Sequence, residues 1–127
     1  MIKILIADEY IIVRESLKQI LFDSGDMEVV DEAGDGEEML RKLRQHDFDL
    51  LLLDISIARQ CLSDMVKEIK SQRPELPIIV MSTYHEDQYA RHVARAGASG
   101  YLTKWSAPEK IIEKIRSTVE RGCHSPL

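Results

Sequence analysis

The chain has 127 residues, 44% of them hydrophobic and 31% charged, and a formal net charge of −5. That length suits one domain with a real core, and the acidic balance argues against nucleic-acid binding by the chain itself, which needs clustered Lys and Arg. No apolar run approaches the roughly 18 residues of a membrane span, and the apolar Met1–Ala7 segment meets Asp8 at once, unlike a secretory signal.

The expected compartment is therefore the cytosol. Cys61 and Cys123 form no C-x-x-C pair and have no zinc-like His spacing, so they read as two free thiols. The basic clump of Arg41, Lys42 and Arg44 falls at helical spacing among acids and reads as a solvated helix face.

Short apolar runs alternate with longer amphipathic segments. The runs Ile2–Ala7, Glu28–Glu32, Leu50–Leu53, Ile78–Met81 and Tyr101–Leu102 predict five strands. Three are nearly continuous in Ile, Leu and Val, as in parallel strands covered on both faces. Between them, Val13, Leu17, Ile20 and Leu21 place an apolar stripe on a first helix, and Met39, Leu40 and Leu43 on a second. Leu62, Met65, Val66 and Ile69 mark a third, ending before Pro74; Tyr89, Val93 and Ala96 mark a weaker fourth. The last helix carries Ile112, Ile115 and Val119, with Ser106 as its cap, Pro108 in its first turn and Gly122 as its stop. Strict alternation predicts an α/β fold, a doubly wound five-stranded parallel sheet with five helices. In such folds the functional cleft lies beyond the carboxyl ends of the strands.

Reading along those ends gives a coherent set. The first strand runs into Asp8 and Glu9, the third ends in Asp54, the fourth in Ser82, and Lys104 follows the fifth. A lone Asp there is usually a cap or turn residue, but capping does not account for all of them together. Clustered carboxylates repel and call for a cation; oxygen-only ligands select a hard ion such as Mg²⁺. Asp54 then suits a nucleophile toward a phosphoryl donor, with the metal and Lys104 offsetting charge and the Ser82 hydroxyl donating a hydrogen bond.

The segments Ile4-Leu5-Ile6-Ala7-Asp8-Glu9, Val13-Arg14, Leu51-Leu52-Leu53-Asp54-Ile55 and Ala96-Gly97-Ala98-Ser99-Gly100-Tyr101-Leu102-Thr103-Lys104 resemble a response-regulator receiver domain from Ile2 to about Val119. The last stretch is similar to the receivers of LuxR/NarL-type two-component transcriptional regulators. The resemblance implies a CheY-like, flavodoxin-like sheet of strand order 2-1-3-4-5. It implies Asp54 as phosphoacceptor, Asp8 and Glu9 as the acidic pair, and Ser82 and Lys104 as the phosphoryl-sensing pair. Tyr101 would be the aromatic switch residue, and the Ser56 backbone carbonyl a ligand, with Asp8, Glu9 and Asp54, to Mg²⁺ or Mn²⁺. Implied partners are a sensor histidine kinase and a second copy of the chain; self-phosphorylation from small phosphodonors and self-dephosphorylation are implied too. Residues 1–121 would form the receiver and 122–127 the start of a linker to a C-terminal DNA-binding domain absent from this chain. A flavodoxin is disfavoured because Asp8-Glu9-Tyr10 would repel phosphate, and a haloacid-dehalogenase-type phosphatase because Asp54-Ile55-Ser56 lacks a second acid.

Two departures from the family pattern stand out. Glu9 replaces the usual Asp, moving a carboxylate by about 1.5 Å. Ile57-Ala58-Arg59-Gln60-Cys61-Leu62 replaces Met-Pro-Gly-x-Asp-Gly, removing residues that fix a tight turn. That predicts either a mobile loop or an earlier helix start. The alternative they support is a pseudo-receiver, a phosphorylation-independent interaction or dimerisation module. The helix near Tyr89 and His92 reads as a mobile output element, and His46, His85, His92 and His124 as surface residues, His85 nearest the site.

Overall fold

In the computed structural model, which describes residues 1–59, 61–83 and 86–123, the elements follow in the order β1 (Ile2–Ala7), α1 (Ile11–Asp23), β2 (Met27–Ala33), α2 (Gly36–Gln45), β3 (Leu50–Asp54), α3 (Ile55–Ala58), α4 (Leu62–Gln72), β4 (Ile78–Ser82), α5 (Glu86–Arg95), β5 (Gly100–Thr103) and α6 (Pro108–Cys123). The five strands form one parallel sheet in the order β2-β1-β3-β4-β5. This is the expected α/β architecture, with one addition. Besides the five longer helices, the single turn α3 follows Asp54 directly.

Strand parity divides the core into two layers. Leu51 and Leu53 point to the face covered by α2, α4 and α5, where they meet Met39, Leu43, Val66, Ile69 and Val93. Leu50 and Leu52 point the other way, onto Leu17 and Leu21 of α1 and Ile111 and Ile115 of α6. All four leucines of β3 are buried, each worth about 1.5–3 kcal/mol of transfer free energy. A strand sealed on both faces has a fixed register, because a one-residue slip would exchange its two faces. The end of β3 is therefore a rigid platform.

The predicted stripes on α1, α2 and α4 are those that face the sheet. On α6 the stripe is rotated: Ile111, Ile115 and Thr118 are buried, while Ile112 and Val119 are partly buried beside them. Ser106 is not the α6 cap. The Ala107 carbonyl accepts the first helical bonds, from Lys110 and Ile111, while the Ser106 hydroxyl pairs with that of Thr103 at 3.2 Å. Helix α6 runs through Gly122 to Cys123, so the first two residues of the expected linker are helical; 124–127, like His85 and His124, lie outside the described residues. His46 and His92 are exposed, and Cys61 is an exposed free thiol. Among the described residues no helix is long and apolar enough to cross a membrane.

Candidate functional site

Beyond the carboxyl ends of β1, β3 and β5 three charged side chains converge. The Lys104 ammonium stands 2.8 Å from Oδ1 of Asp54 and 3.2 Å from Oδ2 of Asp8. Both carboxylates are almost fully buried, at 3% and 2% exposure. The sheet places them: β1 lies beside β3, with Ala7 opposite Leu53, so the residues that end both strands emerge side by side. Lys104 follows β5, and its backbone N–H donates to the Ser82 carbonyl at 2.9 Å, tying the Lys104 loop to the end of β4. Ser82 itself is buried on β4.

The two carboxylates are held differently. Every polar group of Asp8 has a partner. Its N–H donates to the Ala33 carbonyl at 3.0 Å, and its carbonyl accepts from Arg14 Nη1 at 2.6 Å. Oδ1 accepts from the Tyr10 N–H at 2.9 Å, and Oδ2 faces Lys104. Asp54 caps α3 through one oxygen only, Oδ2, which accepts from the Ser56 N–H at 3.0 Å. Its Oδ1 is buried and accepts no aligned hydrogen bond; the Lys104 ammonium meets it as an ion pair. A buried carboxylate oxygen without a hydrogen bond is costly to keep, and it retains lone pairs for another group.

Electrostatics follow from this packing. Burial raises the Asp8 carboxyl above its ordinary range, and the Asp54 charge adds to the rise, against the Tyr10 N–H and Lys104. Burial draws the Lys104 ammonium down, but Asp54 and Asp8 outweigh it and leave the group more basic than usual. Two acids thus share one firmly protonated base. The Tyr10 ring lies over Lys104, its centroid 5.1 Å from Nζ, within the range of a cation–π contact.

The other expected residues lie nearby. Glu9 is exposed and, with Ser56, lines an open cleft of about 740 Å³ shared with Arg59, Cys61, Asp64 and Glu68. The Ser56 hydroxyl is buried without a partner. Among the described residues no three Asp, Glu, His or Cys side chains are gathered as a ready metal cage. The donor chemistry nonetheless fits a hard divalent cation: the neighbouring acids offer only oxygen, and the Ser56 hydroxyl beside them is buried without a partner. Tyr101 is turned inward, 3% exposed, with its ring 5.5 Å from that of Tyr89 on α5.

Sequence reasoning missed three supports: the Tyr10 amide and ring, the Ser56 amide, and the Arg14 guanidinium. Backbone donors leave no mark in a sequence. Arg14 had a visible signal, a cation in the first turns of the helix that follows the acidic pair. The family pattern's Pro-Gly turn is replaced by the separate turn α3, whose Ile57 and Ala58 are buried; the following helix, α4, does not start earlier but begins at Leu62, with its predicted stripe. Arg59 follows at φ 52°, and the Ala58 carbonyl accepts from the Cys61 N–H at 3.3 Å. This is the turn position at which glycine is favoured.

Comparison with known proteins agrees with this geometry. Residues 4–116 match the response regulator receiver domain model. The chain is 39% identical over 122 residues to the oxygen regulatory protein NreC of Staphylococcus carnosus (strain TM300), covering 94% of this chain and 55% of that protein. It is 34% identical over 116 residues to the transcriptional regulatory protein YxjL of Bacillus subtilis (strain 168), covering 91% and 53%. The chain thus spans about half the length of these curated relatives. Among solved structures, a CheY-like receiver from Methanospirillum hungatei JF-1 superposes with a TM-score of 0.83 at 25% identity, covering 99% of both chains. A LuxR-family response regulator from Aurantimonas sp. SI85-9A1 gives 0.84 at 25% identity, covering 93% of this chain and 84% of that one. With a sheet of order 2-1-3-4-5 and an Asp8–Asp54–Lys104 cluster at its carboxyl edge, the chain belongs to the family of response regulator receiver domains.

Proposed function

We propose that this chain receives a phosphoryl group on Asp54 and relays that event through its surface. The observation that carries the reading is the placement of Asp54. It is buried at the carboxyl end of β3, beside Asp8 and 2.8 Å from the Lys104 ammonium. A carboxylate nucleophile has no proton to lose on attack, so the step needs no general base. Oδ1 attacks the phosphorus of the donor, the bond from phosphorus to the leaving group breaks, and the leaving group departs with the electron pair. Lys104 then moves its charge from a carboxylate oxygen to a phosphoryl oxygen. The Ser82 hydroxyl, on the adjacent strand end, suits a hydrogen bond to the same group. Hydrolysis of the acyl phosphate restores Asp54.

Receiver domains are generally Mg²⁺-dependent. In this chain Asp8, Asp54, Glu9 and the Ser56 carbonyl would hold the ion, which supplies charge stabilisation for the phosphoryl oxygens when bound. The donor is proposed to be a sensor histidine kinase, acting in the cytoplasm. Residues 1–121 act as the receiver, and the output passes through a LuxR-type DNA-binding domain in the longer protein, with dimerisation as a means of control. Tyr101 and Ser82 serve as the switch: a shift of Ser82 toward the phosphoryl group changes the space beside Tyr101 and hence its contact with Tyr89 on α5.

The outward position of Glu9 supports a second reading, a pseudo-receiver that binds partners without phosphorylation. Incubation with Mg²⁺ and acetyl phosphate, followed by intact-mass measurement, separates the two. One added phosphoryl group that disappears in Asp54→Asn supports the acceptor. No adduct together with no Mg²⁺ binding supports the pseudo-receiver.

A further inference from the structure

Arg14 lies on α1, outside the charged cluster, yet it touches the cluster's backbone. Its side chain is 14% exposed. Nε meets Oε1 of Glu32 at 2.7 Å and Nη1 donates to the Asp8 carbonyl at 2.6 Å. Glu32 sits near the end of β2, and its other oxygen meets Lys18 at 2.7 Å. Gly34 lies against the guanidinium, so a side chain there would stand 3.5 Å from Nη1. One planar group thus bridges the end of strand β2 to the peptide joining Asp8 and Glu9, a use that suits the rigid fork of Arg and not the single ammonium of Lys.

We propose that Arg14 is a positioning residue for the acceptor site, orienting the peptide that joins Asp8 to Glu9 and so fixing where each of the two acids leaves the backbone. The role rests on the phosphoacceptor reading above. The carbonyl that Arg14 holds and the amide of Glu9 belong to one rigid plane. Fixing that oxygen fixes where the chain departs toward Glu9, and it also sets the approach of the Tyr10 N–H to Asp8 Oδ1. Without Arg14 the plane is free to turn, and an ion with strict geometry meets a wider spread of donor positions.

Lys18 provides the control. It shares Glu32 with Arg14 and helps to fasten α1 to β2, but no bond from it to Asp8 is present among the described residues. A role limited to holding the helix would be common to both; positioning belongs to Arg14 alone. Arg14→Gln, Arg14→Lys and Lys18→Gln are compared with wild type in two measurements, each made well below the thermal midpoint of every variant. The first is the Mg²⁺ concentration giving half-maximal labelling by acetyl phosphate. Arg14→Gln should raise it on the order of tenfold with little change in the rate at saturating Mg²⁺, and Lys18→Gln should leave it nearly unchanged. Arg14→Lys should fall between, since an ammonium reaches either Glu32 or the Asp8 carbonyl. The second is amide hydrogen exchange at Tyr10 without metal, which should quicken in Arg14→Gln and not in Lys18→Gln. Equal effects of Arg14→Gln and Lys18→Gln, an unchanged Mg²⁺ requirement, or unchanged Tyr10 exchange overturns the proposal. If wild type takes no label, the phosphoacceptor reading falls, and Tyr10 exchange alone decides the role of Arg14.

Discussion

Lys104 approaches Asp54 to 2.8 Å and Asp8 to 3.2 Å, one positive charge set between two buried acids. Replacing it with Met leaves two buried carboxylates facing each other. Lys104→Met should lose roughly 3 kcal/mol of stability at neutral pH, near the low end for a buried pair broken on one side. The loss should shrink at acidic pH, as the Asp8 carboxyl, raised by burial and by the Asp54 charge, takes up a proton. Urea denaturation at both pH values is the check; an equal loss at each would show that the carboxylates do not interact.

Asp8 predicts the opposite sign. Its folded-state carboxyl lies above the ordinary range because of burial and Asp54, so the native state holds its proton more tightly than the unfolded state. Stability then falls as pH rises from the unfolded value of about 3.9 through the folded one. Asp8→Asn removes that penalty while keeping an oxygen for the Tyr10 N–H. It should melt higher than wild type at pH 7, with the advantage gone by pH 3. A lower melting temperature at pH 7 would mean that the ion pair with Lys104 outweighs burial.

A surface pair gives a contrasting pH profile. Arg116 on α6 meets Asp26, just before β2, through two hydrogen bonds of 2.8 and 2.9 Å. Those bonds hold the Asp26 carboxyl down at about 2. Here the folded value is depressed, so the contribution is present above the unfolded value and is lost as pH falls through the folded one. Asp26→Asn should melt lower than wild type at pH 6, and the gap should close toward pH 2 and in high salt, since both groups are exposed. A gap insensitive to salt would point to packing instead.

Two backbone positions should respond in opposite directions. Gly97 ends α5 at φ 101°, where its N–H bonds to the Ala94 carbonyl and the Ala98 N–H to that of Val93, the pattern of a Schellman cap. A Cβ there would stand 3.4 Å from Val66. Gly97→Ala should cost about 1–2 kcal/mol. Arg59 holds φ 52° with a side chain attached, and Arg59→Gly should gain about 1 kcal/mol. Chemical denaturation measures both; a destabilised Arg59→Gly would show that its side chain offsets the backbone strain.

Much of this arrangement was legible from residue order. Leu50–Leu53 could only be a strand sealed on both faces, and that alone placed Asp54 at a sheet edge with Asp8 and Lys104. What escaped was short or made by the main chain. Ile55–Ala58 is a single turn, too brief for a helical period and rich in β-branched residues that read as strand. Ser106 offered a plausible capping hydroxyl, but Thr103 takes it. The rotation of the α6 stripe toward Ile111 depends on how the helix meets β5, which no local pattern records. The exposure of Glu9 likewise has no mark in residue order, which shows only an acid beside Asp8.

The turn α3 has a consequence for the timing of motion around Asp54. Its amide from Ser56 holds the Asp54 carboxylate, and its next two residues, Ile57 and Ala58, are sunk in the same apolar layer as Leu53 and Val66. Where a glycine-rich loop would fluctuate independently, this segment moves only when the layer beneath it loosens. The orientation of the Asp54 carboxylate is therefore slaved to the slow breathing of the core, and fast local hinging does not reach it.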